Sequence, residues 1–163
     1  MSSIYMLTEI LMKLLITPVL ILSFFLSGSS AALAAEGVLA RCGASTGKGY
    51  FFFDELFNPD GPGWTDDGVA NGRILLVRLG DEWDIQFGDS IGDYGYRQDG
   101  AKVILLGMTD RFVTLGAFGA AYTDIFTFDM PQKEVVWSSH KFATTIKKSA
   151  IYHADCSFAM QAQ

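Results

Sequence analysis

Residues 149–158, Ser149-Ala150-Ile151-Tyr152-His153-Ala154-Asp155-Cys156-Ser157-Phe158, alternate along their whole length. Ala150, Tyr152, Ala154, Cys156 and Phe158 share one face, and Ser149, His153, Asp155 and Ser157 share the other. A period of two is the signature of a strand with one buried face. The same period recurs upstream. Trp83, Ile85 and Phe87 oppose Asp84 and Gln86, while Asp124, Phe126 and Phe128 oppose Thr123, Ile125 and Thr127. Phe142, Thr144 and Ile146 oppose Lys141, Thr145 and Lys147. Two denser apolar runs, 74–79 and 103–106, read as strands buried on both faces.

Turn signals separate these runs at short intervals: Gly80-Asp81, Asp99-Gly100, Thr109-Asp110, Met130-Pro131 and Lys147-Lys148. The spacing predicts an all-β domain, a single antiparallel sandwich or small up-and-down barrel of about eight strands. They are expected at 49–53, 73–79, 83–88, 102–107, 111–117, 123–128, 133–138 and 141–155, the last split at Lys147-Lys148. A short helical turn is expected around Phe53 to Phe57. Residues 58–72, NPDGPGWTDDGVANG, combine proline, glycine and aspartate and read as a long surface loop. Trp64 inside it either pins the loop to the core, the commoner outcome for a tryptophan, or is offered to a partner.

The first thirty-four residues read differently. From Leu14 to Ala35 there is no charged residue, Lys13 supplies a positive flank, and the apolar core from Leu14 to Leu26 has the length of a signal-peptide h-region. Ala32-Leu33-Ala34 fits the A-x-A cleavage pattern, so residues 1–34 are expected to be removed, with cleavage after Ala35 as the second choice. Glu9 dilutes the segment before Lys13, whereas a start at Met12 gives the more usual opening Met-Lys-Leu-Leu. The expected destination is periplasmic or secreted. The alternative is an uncleaved inner-membrane anchor, against which Pro18 and Gly28-Ser29-Ser30 argue. A lipoprotein is disfavoured because Arg41 precedes Cys42. In an exported, oxidising compartment, Cys42 and Cys156 are expected to form one disulfide that ties the two ends of the domain together.

Among the 163 residues, Lys and Arg total 12 against 18 Asp and Glu, a net charge of −6. That balance excludes a basic nucleic-acid footprint. With 13% aromatic and only 18% charged residues, the chain is not of the disordered class. Several catalytic and metal motifs fail on inspection. Gly47-Lys48 resembles the end of a phosphate loop, but Cys42 stands where the first glycine belongs and Gly49 where Ser or Thr is required. Asp60, Asp66 and Asp67 offer oxygen ligands for a surface calcium site without an EF-hand frame, and solvated turn acids are the simpler reading. Two histidines, His140 and His153, are too few for a transition-metal site once both thiols are bridged. No cofactor and no nucleotide are expected.

Two classes of function remain. The preferred one is a non-enzymatic exported β-domain that binds an envelope protein, a glycan or a small apolar ligand. Trp64, Tyr94, Tyr96 and Arg97 are its candidate contacts, because tyrosine and arginine among glycines suit recognition surfaces. The alternative is a small envelope hydrolase using His153 with Asp155, or a carboxylate pair drawn from Asp84, Asp89, Asp93 and Asp99. A membrane-tethered structural subunit is a further alternative that requires the leader to stay. A hollow interior lined by Phe87, Phe126 and Trp137 would favour an apolar ligand, and a filled one would favour surface binding.

Overall fold

The computed structural model describes residues 36–89 and 92–159. The expected signal peptide, residues 1–34, lies outside them. Among the described residues ten strands form the fold: β1 Gly37–Phe51, β2 Gly63–Val69, β3 Arg73–Leu79, β4 Glu82–Gly88, β5 Asp93–Gly95, β6 Lys102–Met108, β7 Phe112–Phe118, β8 Tyr122–Asp129, β9 Glu134–Lys141 and β10 Lys148–Phe158. Their spatial order is β5-β4-β3-β1-β10-β9-β8-β7-β6, all antiparallel, with β2 joined to β1 outside this path. A sandwich would split these strands between two sheets. Here pairing runs unbroken through the contact of β1 with β10, giving one sheet curled on itself.

The alternation that announces β10 reappears as burial. Ala150, Tyr152 and Ala154 are buried while Ile151 is exposed, and Trp83, Ile85, Phe126 and Phe128 likewise face inward. Gly80, at φ 61°, makes the tight link from β3 to β4, a backbone shape that glycine adopts without strain. Cys42 and Cys156 lie opposite each other in register and are bridged, as expected.

The interior is filled. Phe126, fully buried, stacks on Trp137 at 5.7 Å between ring centres, with Phe87 at 5.9 Å and Tyr96 at 5.7 Å. Because Phe87 belongs to β4 and Trp137 to β9, these rings hold the two flanks of the curled sheet together.

Five expectations need correction. β1 begins at Gly37, well before residue 49. Its glycines look like loop residues but permit a close crossing: a Cβ on Gly47 would lie 2.2 Å from the Ile151 carbonyl oxygen and 2.7 Å from the Tyr152 ring. The expected loop 58–72 contains β2, which pairs with the second half of β1 from Ser45↔Val69 to Phe51↔Gly63. β2 has no apolar face. Backbone bonds and ion pairs hold it, with Asp66 and Lys48 directly opposite at 2.8 Å. Residues 142–147 are a connection between β9 and β10 rather than strand, so Phe142 and Ile146 are exposed. Val103–Leu106 is not buried on both faces, since β6 ends the sheet path and leaves Leu105 and Leu106 open. Residues 53–57 form a turn and not a helix, closed by Leu56 and Phe57 backbone N–H groups donating to Asp54 Oδ1.

Candidate binding cleft

One end of the domain carries the features that invite a ligand. Register defines it: Tyr122 pairs with Lys141, Lys141 with Lys148, Lys148 with Phe51, and Phe51 with Gly63. A cleft of about 270 Å³ opens beside this row, walled by Tyr94, Tyr96 and Tyr122 and carrying the carboxylates of Asp99 and Asp124. Lys141 and Thr144 complete its lining.

Each wall is held by packing. The Tyr94 ring is half exposed and stacks on Phe87, 5.8 Å between centres and 13° from parallel. Tyr96 starts the turn that follows β5 and is buried, edge-on to Phe126 at 5.7 Å and to Tyr122 at 5.6 Å. The turn closes through Asp99 N–H donating to Gly95 O and Ala101 N–H donating to Tyr96 O, with Gly100 at φ 84°. Ring planes fixed in this way need no ordering when a ligand arrives.

The acids are tied to the phenols. Tyr122 donates its hydroxyl to Asp99 Oδ2 at 2.9 Å, and Tyr96 donates to Asp124 Oδ2. Asp124 is only 3% exposed, and its other oxygen, Oδ1, has no hydrogen-bond partner among the described residues. All three tyrosines have raised pKa values. Burial is the first cause in each, followed by Asp124 for Tyr96, by Asp99 for Tyr122, and by Asp89 and then Asp124 for Tyr94. The phenols therefore remain protonated donors at neutral pH.

A second polar knot braces the same end. Asp67 on β2 accepts from Lys148 and, at 2.5 Å, from the Tyr152 hydroxyl, reaching across β1 to β10. Burial pushes the Asp67 carboxyl up, but the bonds from Lys148 and Tyr152 outweigh it and hold it below its ordinary value of 3.8. Around this end stands a fringe of exposed apolar side chains, including Phe53, Phe57 and Leu56, the last 83% exposed. The loop carrying them joins the connection 142–147 through Phe52 N–H donating to Lys147 O.

The candidate contacts named from sequence divide. Tyr94 and Tyr96 meet in the cleft. Arg97, next in the chain, turns away and pairs with Glu82 at 2.7 Å. Trp64 does not pin its segment: it is 68% exposed, edge-on to Tyr50 at 5.5 Å, because β2 already ties that segment down through its backbone. His153 Nε2 lies 3.0 Å from Glu134 Oε2 and 4.0 Å from Asp155, on the outer face away from the cleft. Of the four clustered acids, only Asp99 enters the cleft. Asp93 pairs with Arg73, and Asp84 accepts from the backbone of Ile85 and Arg97. Asp66 and Asp67 are each ion-paired, and no group of three or more potential metal ligands occurs among the described residues.

Asp124, Tyr122 and Lys141 went unnoticed as site residues in the sequence. Only Asp124 left a signal: it shares an inward strand face with Phe126 and Phe128, where an acid is costly unless it has a task. Comparison with known proteins returns no matching family, curated protein or solved structure.

Proposed function

We propose that this chain is an exported, non-catalytic binding domain that holds a glycan in the cleft of Tyr94, Tyr96, Tyr122, Asp99 and Asp124. The observation that carries the reading is the pairing of fixed, accessible aromatic surface with the exposed carboxylate of Asp99 and the buried one of Asp124 in one open cleft. A sugar ring offers an apolar C–H face that packs on a phenol ring. Its hydroxyls donate to carboxylates, which form the stronger class of hydrogen bond. The packed interior around Phe126 leaves a small apolar ligand without a chamber, which favours surface binding over a carrier role. Each cleft acid already holds a tyrosine hydroxyl, an arrangement suited to recognition rather than to proton transfer. The Cys42–Cys156 bridge is compatible with an oxidising, periplasmic or secreted location.

The test is calorimetric titration of the purified protein with a panel of oligosaccharides, neutral and charged. Binding should weaken by about fivefold or more on Tyr94→Ala, since a half-exposed stacked ring contributes its face alone. A panel in which no saccharide binds at millimolar concentration overturns the reading, and so does release of new reducing ends during incubation.

A further inference from the structure

The cleft contains one group that a neutral saccharide leaves unanswered. Asp124 projects inward from β8, its Oδ2 engaged by Tyr96 and its Oδ1 buried without a donor among the described residues. An unpaired oxygen on a buried carboxylate is costly, and folded proteins rarely keep one without a purpose. The carboxylates of Asp99 and Asp124 face a single cationic side chain in the lining, Lys141, so an excess of negative charge remains. Rings of Tyr96 and Tyr122 lie 5.6 Å apart, and those of Tyr94 and Tyr96 lie 6.4 Å apart, both pairs edge-on. Three electron-rich rings around an anionic floor form a surface that attracts a cation as well as a sugar face.

We propose that the cleft selects a saccharide carrying a free primary ammonium group, an unacetylated amino sugar, with Asp124 Oδ1 accepting one of its N–H bonds. The inference rests on the glycan reading above and narrows it. A hydroxyl donor fills the hydrogen bond but leaves the charge. An ammonium supplies both, and it places its remaining positive charge against the tyrosine faces. N-acetylation removes the charge and adds bulk at the same nitrogen. The raised pKa values of Tyr94, Tyr96 and Tyr122 agree with this arrangement, because neutral phenols keep their hydroxyls as donors to Asp99 and Asp124.

The experiment titrates the purified protein at low salt with a glucosamine trimer, an N-acetylglucosamine trimer and ethanolammonium chloride. The free-amine trimer should bind at least about tenfold tighter than the acetylated one, the contribution of one charged hydrogen bond. Salt should erode the difference. Asp124→Asn keeps an oxygen for the Tyr96 hydroxyl but removes the charge, and should abolish the preference. Lys141→Ala removes the cleft's own cation and should tighten the free-amine trimer. Loss of that binding overturns the proposal even if the Asp124 variant does not fold. Equal affinity for both trimers overturns the amine selection and leaves the glycan reading intact. A preference that survives Asp124→Asn overturns the assignment to Asp124. If ethanolammonium binds as tightly as the free-amine trimer, the saccharide half falls. If neither trimer nor any neutral oligosaccharide binds, both readings fall together.

Discussion

Replacing Cys42 and Cys156 together by alanine removes the link between the first and last strands of the sheet. The bridge spans 114 residues of sequence, so nearly the whole domain lies inside the loop it closes. In the chain-entropy treatment a loop of that length restricts the unfolded state by about 4.8 kcal/mol at 25 °C. With a typical unfolding entropy for about 125 residues, the same free energy corresponds to a fall in Tm of roughly 18 °C. The folded state should lose little beyond this, because Cys42 and Cys156 are held opposite each other by the backbone pairing of β1 and β10. Urea titration is the natural assay, read by the fluorescence of Trp83 and Trp137, both buried. The m-value should also rise, since the unbridged unfolded chain is less compact and exposes more surface. A midpoint shift worth less than about 1 kcal/mol, with m unchanged, would refute the claim that the bridge acts by restraining a long loop.

Phe126→Ala should cost about 3 to 5 kcal/mol, because the ring is fully buried and touches Trp137, Phe87 and Tyr96 together. Denaturant midpoints measure this, and weakened saccharide binding should accompany it through the loosened Tyr96. Asp67→Asn should destabilise by roughly 2 kcal/mol by leaving the partly buried Lys148 without its counter-charge. Because the Asp67 carboxyl is held below its ordinary 3.8, its contribution is present above that value and is lost as pH falls through the lower folded one. Thermal unfolding followed between pH 6 and about 3 should therefore show a shallower acid decline in the variant. Trp64→Ala should change stability by no more than about 0.5 kcal/mol in the same denaturation assay, since the ring is mostly in solvent.

The strands that were legible from sequence are those whose side chains report burial. β4, β8 and β10 show it most plainly, each putting buried residues on every second position. The part of β1 before residue 49 and all of β2 were hidden for opposite reasons. Before residue 49 β1 runs through Gly43 and Gly47, which read as loop residues, and Gly47 is there so that the backbone can pass close to β10. β2 stands on charge pairs and backbone bonds, neither of which leaves a periodic apolar trace. The cleft was half legible. Tyr94 and Tyr96 stood out by composition. Their partners Asp124 and Tyr122 lie more than twenty-five residues away in the chain and meet them only because the sheet curls. An acid on an aromatic strand face was visible at Asp124, and its meaning depended on a cavity that no alternation pattern encodes.

The pairing of the first strand with the last also decides how this domain can be held. Gly37 begins β1 and Phe158 ends β10, and Ala159 N–H donates to Leu39 O, so both ends of the described chain leave side by side. They leave from the end of the strands opposite the row Tyr122, Lys141, Lys148 and Phe51 that borders the cleft. A surface anchor or fluorescent fusion attached at either terminus would therefore present the cleft outward and unobstructed. Adjacent ends also make the domain suited to circular permutation, with the old termini joined by a short linker and new ones opened in the 130–133 turn.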